Sequence, residues 1–265
     1  MKKFLSLCQE IKTSDVIKGG RVSFVFYFFL THILNLVWHF NQKLTRIIAA
    51  RLATPKRFLI KNKTGYFWVS PFNDSMTVSA DYYDSQLVNW LEKPPKKRIF
   101  VDIGAHIGRY SILAGRKYYK VVAFEPNPAI FSVLENNIKA NNLEEKVNLH
   151  KVALSDKPGT VLFTVDDIYS VASGISDDGT GLPVSCALGD EILKGVNFEE
   201  IDFIKIDVEG HDREVLNGLN EVLTKMPMGS FIMIEFDNET AKTLKKYSFE
   251  FVKSDGGLNH LFEKR

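Results

Sequence analysis

Cysteine is nearly absent: Cys8 and Cys186 are the only two in 265 residues. Two thiols so far apart make no disulfide framework and offer no metal-ligand spacing. A stapled secreted scaffold and a zinc module are therefore excluded, and the chain suits a reducing compartment. Net charge is scarce too. A formal +2 over the whole chain creates no strong field for nucleic acid, so no nucleic-acid partner is expected. Internal repeats are missing, which speaks against a solenoid. What remains is an ordinary globular composition, on a length that suits one α/β domain of about 200 residues plus a smaller extension.

A further absence is local. From Val22 to Gln42 there is no Asp, Glu, Lys or Arg. The run is long enough to span a bilayer. It starts too late for a signal peptide, and no small-residue cleavage pattern follows it. Residues 23–30 are apolar all round. Beyond them His32, Asn35, His39, Gln42 and Arg46 recur at spacings of three and four, one polar stripe on a helix, with Ile33, Leu34, Leu36, Val37, Phe40, Leu44 and Ile47 opposite. Three readings stay open. The segment is a transmembrane anchor, a helix on a membrane surface with Lys43, Arg46 and Arg51 nearby, or a helical cap on the rest of the chain or on a second subunit. A cytoplasmic protein is expected, with attachment to the cytoplasmic face of a membrane through residues 22–48 as the option. Pro55 closes this extension, so residues 1–54 and 55–265 are read as separate parts.

Arg57–Lys61 and Tyr66–Ser70 read as a hairpin around Asn62-Lys63-Thr64-Gly65, and Tyr82–Glu92 as a helix that stops at Pro94-Pro95. From residue 98 onward a regular rhythm begins. Short unalternating apolar runs at Ile99–Ile103, Lys120–Phe124, Val147–Leu149, Phe203–Ile206 and Ser230–Ile234 suit strands buried on both faces. Helical stretches at Gly108–Arg116, Ala129–Ala140 and Arg213–Leu223 alternate with them. That alternation predicts an α/β fold with a mostly parallel sheet. An insertion carries strands at Thr160–Val165 and Leu182–Ala187 around a Gly/Ser/Asp-rich loop. Phe249–Val252 and His260–Phe262 read as a terminal hairpin.

Three segments carry chemistry. Phe100-Val101-Asp102-Ile103-Gly104-Ala105-His106-Ile107-Gly108 is a strand running through a tight turn into a helix. Gly104 can take positive φ and lets backbone approach a ligand, and the helix start offers unpaired N–H groups. The third glycine of the dinucleotide fingerprint is missing, which argues against pyrophosphate binding. The next strand ends at Glu125, followed by Pro126-Asn127-Pro128. A carboxylate there can accept hydrogen bonds from both hydroxyls of a ribose. The third segment is Lys205-Ile206-Asp207-Val208-Glu209-Gly210-His211. Ionisable groups at the end of a central strand are costly unless paired or functional. Asp207, Glu209 and His211 could bind an alcohol and remove its proton. The structural alternative is an ion pair, Lys205–Asp207 or Arg213–Glu209. No spacing demands a metal.

Together these segments resemble the FkbM family of methyltransferases. The matching stretches are FVDIGAHIGRYS, VVAFEPNP, VALSDKPG, IDFIKIDVEGHDREVLNGL and FIMIEF, in order over about residues 82–236. The resemblance implies a class I Rossmann-like methyltransferase fold with a seven-stranded sheet whose last strand is antiparallel; the first 80 residues, with the N-terminal helical extension, lie outside it. It implies S-adenosyl-L-methionine as donor and a hydroxyl of a glycan, lipid or small molecule as acceptor. Carried over, Asp102, Gly104, Ala105 and Gly108 would lie along the methionine part of the cofactor, Glu125 at its ribose, and Ser155 and Asp156 near its adenine. Asp207 and Glu209 would sit beside the methyl group and the acceptor. Two departures stand out. The family often has a small residue where His211 stands, and Glu235-Phe236-Asp237-Asn238 lacks a His common near there. A nicotinamide-dependent oxidoreductase and a non-catalytic cofactor-binding membrane scaffold are the competing functions.

Overall fold

The computed structural model describes residues 14–38, 44–45, 47–48, 52, 57–71, 75–80, 85–165, 173–176, 180–235 and 237–265. Cys8, most of the expected polar stripe after Asn35, the helix start at 82–84, and much of the loop between the two insertion strands lie outside them.

The chain opens with β1 (Asp15–Lys18) and α1 (Arg21–Trp38), then forms the expected hairpin, β2 (Phe58–Lys61) and β3 (Tyr66–Val69). β1 pairs antiparallel with β2, so the extension contributes a strand as well as a helix. Nothing local in Asp15-Val16-Ile17-Lys18 announces that strand, because its partner lies more than 40 residues away. α1 seats Phe24 and Phe28 in the main core, where Phe24 meets Phe58 edge-on at 5.6 Å. Among the described residues no helix is long and apolar enough to cross a membrane.

The main sheet follows: β4 (Ile99–Ile103), α2 (Arg109–Gly115), β5 (Lys120–Phe124), α3 (Pro128–Ala140) and β6 (Val147–His150). The insertion supplies β7 (Ala153–Leu154), β8 (Gly159–Thr164), β9 (Gly174–Ile175) and β10 (Leu182–Ala187), which form a four-stranded sheet of their own. The chain returns through β11 (Ile201–Ile206), α4 (Asp212–Asn217), α5 (Asn220–Lys225), β12 (Phe231–Glu235), α6 (Asn238–Lys246), β13 (Phe249–Ser254) and β14 (Asn259–Lys264). The seven-stranded order is β13-β14-β12-β11-β4-β5-β6, with β14 antiparallel to both neighbours and the β12-β11-β4-β5-β6 run parallel. This is the class I Rossmann-like arrangement that the resemblance implied. The single helix expected over Arg213–Leu223 is two, α4 and α5, broken at Gly218. A Cβ at Gly218 would stand 2.1 Å from the Ser155 carbonyl, so close packing on the Ser155 turn explains the glycine.

Every residue of α2 is buried. The main sheet covers one side and the β1–β3 unit reaches the other. Arg109, wholly buried, sends Nη1 to the Ser79 carbonyl at 3.2 Å, and a Cβ at Gly65 would meet Ile112 at 3.0 Å. α3 serves the same unit through two amides one helical turn apart. Asn141 accepts from the Tyr66 N–H and donates to its carbonyl, while Asn137 accepts from the Trp68 N–H at 2.6 Å. Those side chains satisfy an edge strand that would otherwise leave its groups unpaired.

Candidate functional site

The strand order reverses between β4 and β11, and ligands in open α/β sheets bind at the carboxyl ends beside such a reversal. A cleft, open to solvent, lies there. Its walls include Gly104, His106, Glu125, Asn127, Asp207, Glu209 and His211, with an apolar part from Phe124, Ile130, Leu154, Phe163 and Ile175. Three segments far apart in the chain therefore meet at one place, because β5, β4 and β11 are neighbours in the sheet.

The turn after β4 is built around Gly104. Its φ is +77°, and a Cβ there would fall 1.9 Å from the Asp207 carbonyl oxygen. The glycine is thus required by the approach of β11's end rather than by open space for a ligand. The Gly104 and Ala105 N–H groups both donate to the Phe124 carbonyl, at 3.0 and 2.9 Å. His106 follows at φ +53°, and its N–H donates to Glu125 Oε2 at 2.9 Å. Glu125 Oε1 accepts from the Asn127 N–H at the same distance. Each oxygen keeps a second lone pair for a hydroxyl. Glu125 is buried, which pushes its pKa up, while His106 and the two N–H bonds counter that rise. Asn127 also caps α3, accepting from the Ala129 N–H, so Glu125 and the helix start form one rigid corner.

The end of β11 carries an acidic cluster around one lysine. Lys205 is buried; its Nζ donates to the Gly104 carbonyl at 2.6 Å and lies 3.2 Å from Asp207 and 3.5 Å from Asp102. Burial pulls its ammonium down, but Asp207 and Asp102 outweigh this and hold it above the usual lysine range. Glu209 sits in a left-handed turn, φ +54°, ahead of Gly210. Its carboxyl is pushed up to about 7, first by partial burial, then by Asp207, Glu235 and Asp212. Asp212, nearly inaccessible at the first position of α4, is also raised to about 7, by burial and then by Asp207 and Glu235. Burial and Asp207 raise Glu235 as well. Asp212 Oδ1 is buried and accepts no hydrogen bond. His211 is clamped, with Nε2 2.9 Å from Ser155 Oγ and Nδ1 3.5 Å from Glu214.

The family model of the methyltransferase FkbM domain matches residues 102–252, more than half of the chain and all three of these segments. The chain belongs to the FkbM methyltransferase family. The hexuronic acid methyltransferase AglP of Haloferax volcanii is 29% identical over 146 residues, 55% of this chain and 58% of that protein. The methyltransferase sdnD of Sordaria araneosa is also 29% identical, over 161 residues covering 48% of this chain and 62% of that one. The chain thus spans about three-fifths of the length of these curated relatives. Among solved structures, an FkbM methyltransferase from Methylobacillus flagellatus is similar over 69% of this chain and 46% of that chain, at 19% identity and a TM-score of 0.46.

Within this FkbM domain the residues singled out by sequence divide clearly. Gly104, Glu125, Asp207, Glu209 and His211 all line the cleft. Asp102 is fully buried behind it, accepting from Ser111 Oγ at 2.6 Å. Ala105 is buried in the turn, and a Cβ at Gly108 would meet Leu134 at 2.5 Å, so that glycine serves the α2–α3 contact. Ser155 holds His211, and Asp156 lies next to it rather than on the cleft wall. Of the two ion pairs considered for the cluster, Lys205–Asp207 is present. Sequence reasoning missed Asp212, Glu235, His106 and Asn127, and the insertion residues Phe163 and Ile175. Asp212 and Glu235 were within the quoted motifs, but only the sheet places both in the field of Asp207. Among the described residues no group of three or more His, Cys, Asp and Glu is set to hold a metal.

Proposed function

We propose that the chain, or the protein that contains it, is an S-adenosyl-L-methionine-dependent methyltransferase acting on a hydroxyl oxygen of a glycan, lipid or small metabolite. The observation that carries this is Glu125: an acceptor-only group fixed by two backbone N–H bonds at the wall of the switch-point cleft, suited to a ribose. The other walls fit the same cofactor. Phe124, Ile130 and Leu154 offer apolar surface for a base, and the polar turn at Gly104 and Asp207 lies opposite. When bound, the sulfonium supplies an activated methyl group, so the protein's work is alignment, exclusion of water and removal of one proton.

The residues divide that work as follows. Lys205 ties the Gly104 carbonyl to Asp207 and so fixes the two sides of the cleft relative to each other. Glu209 lines the cleft with a pKa near neutrality, which suits a general base for the acceptor hydroxyl. His211, with a partner on each ring nitrogen, serves better to position the Ser155 turn against α4 than to accept that proton. A Cβ at Gly174 in β9 would stand 3.4 Å from Glu209, so the insertion would shape the acceptor pocket. The similarity to a hexuronic acid methyltransferase supports a glycan within that class. In the same proposal, residues 55–265 are the methyltransferase domain and residues 1–54 an extension packed on it through Phe24 and Phe28.

Isothermal titration with S-adenosylhomocysteine tests the cofactor assignment. Wild type should bind it and should not bind NAD, and Glu125→Ala should bind at least about tenfold more weakly. Equal binding by the variant would remove Glu125 from the ribose. Screening extracted glycans and lipids with labelled S-adenosyl-L-methionine then identifies the acceptor.

A further inference from the structure

Between Asp15 and Asp74 the chain has nine Lys and Arg and not one Asp or Glu, leaving 25 Lys and Arg against 32 Asp and Glu everywhere else. The positive charge is thus concentrated in the segment that the FkbM domain does not cover. Lys18, Arg21, Arg57, Lys61 and Lys63, the five of these basic residues that the structure describes, are all exposed.

The same segment presents apolar side chains outward. On α1, Phe24, Phe28 and Thr31 face the protein and are buried. The opposite face carries Val22, Phe26 and Ile33, at spacings of four and seven, while Phe29 between them is half-buried and packs partly on the core. Val22 is 86% exposed, Phe26 60% and Ile33 54%. Leu44, Ile47 and Leu52, further along, are exposed as well. Of the expected polar stripe the structure describes the side chain of His32, which stacks on Phe28 with ring centroids 4.4 Å apart and whose pKa burial lowers. Ile33 next to it faces out. The helix is therefore apolar on two sides, and the protein core accounts for one of them. A row of large apolar side chains left in water is costly, and such a row beside concentrated basic charge matches the two demands of an anionic bilayer surface.

We propose that α1 docks in the plane of an anionic lipid bilayer, with Val22, Phe26 and Ile33 in the interfacial layer and the surrounding Lys and Arg at the headgroups. The apolar row supplies the insertion, and the acid-free stretch supplies the attraction and selects negatively charged lipid. The proposal stands apart from the methyl-transfer reading, since none of these residues lines the cleft.

Vesicle flotation of the full chain tests it, with vesicles of phosphatidylcholine alone and of phosphatidylcholine mixed with phosphatidylglycerol. Wild type should float with the mixed vesicles and should be released from them by added salt. The triple variant Val22→Asp, Phe26→Asp, Ile33→Asp should lose about tenfold or more in partitioning. Its circular dichroism and thermal midpoint should match wild type, because the three side chains are already exposed. Lys18→Glu with Lys61→Glu should weaken binding to mixed vesicles while preserving the fold. Wild type that stays in the soluble fraction with both vesicle types overturns the proposal, as does a triple variant that floats unchanged. Sedimentation that shows a dimer in wild type and a monomer in the triple variant, with no flotation of either, overturns it in favour of a second copy of the chain.

Discussion

Gly104→Ala puts the geometry of the cleft to a direct test. The native residue has φ +77°, and an added Cβ would stand 1.9 Å from the Asp207 carbonyl oxygen and 2.9 Å from its carbon. Both obstacles are backbone, so no side-chain rotation relieves them. The left-handed conformation costs an alanine about 1–2 kcal/mol. Forcing β11's end away adds an overpacking cost of about 1–3 kcal/mol. Together they destabilise the fold by about 2–5 kcal/mol, and in a chain of this size each kcal/mol lowers the melting midpoint by about 2–4 °C. A midpoint about 4–20 °C below wild type is expected in a thermal melt followed by circular dichroism. Gly195→Ala is the matched control, because nothing lies within 4 Å of its Cβ position. That variant should melt with wild type. A Gly104→Ala protein melting within a degree or two of the control would refute the close approach of β4 and β11, and the site built on it.

Other outcomes follow from the same structure. Glu209 and Asp212 share one field, so the midpoint near 7 belongs to the pair, and the base works when ionised. The rate of acceptor methylation should therefore rise with pH through about 7, Glu209→Gln should remove that limb, and Asp212→Asn should move it to lower pH. Folding should respond with the opposite sign. A carboxyl whose pKa is raised on folding favours the protonated native state, so the stability that Asp212 contributes is present below its unfolded value and is lost as pH rises through about 7. Melting midpoints at acid and alkaline pH should converge in Asp212→Asn relative to wild type, and an unchanged difference would contradict the burial of that carboxyl. Asn137→Ala strands the Trp68 N–H and the Ile107 carbonyl, which Asn137 holds at 2.6 and 2.8 Å, and should cost about 2–4 kcal/mol in urea unfolding.

Much of this molecule is legible in one dimension. β4 and β5 have the bounds read from their apolar runs, because strands buried on both faces must be apolar without interruption. Glu125 was legible because a carboxylate at a strand's end, ahead of Pro126 and Pro128, has few local reasons to be there. Long-range pairing was not legible. β1 exists because β2 accepts it, and the insertion strands form a sheet of their own, a pairing that no local pattern announces. The same distinction runs through the site. Local pattern marked Asp207 and Glu209, but the field that raises Glu209 comes also from Asp212 and Glu235, brought in by a helix start and by the neighbouring strand.

Glycine shows where the division falls. The sequence alone determined that Gly104 and Gly108 sit in a turn between a strand and a helix, since that needs only the local order of residue types. Only the tertiary structure decided what each glycine is for: Gly104 admits the Asp207 carbonyl and Gly108 admits Leu134. It also decided which side of α1 faces the core. Periodicity records that a helix has faces, whereas the partner that covers a face is a property of packing between segments distant in the chain.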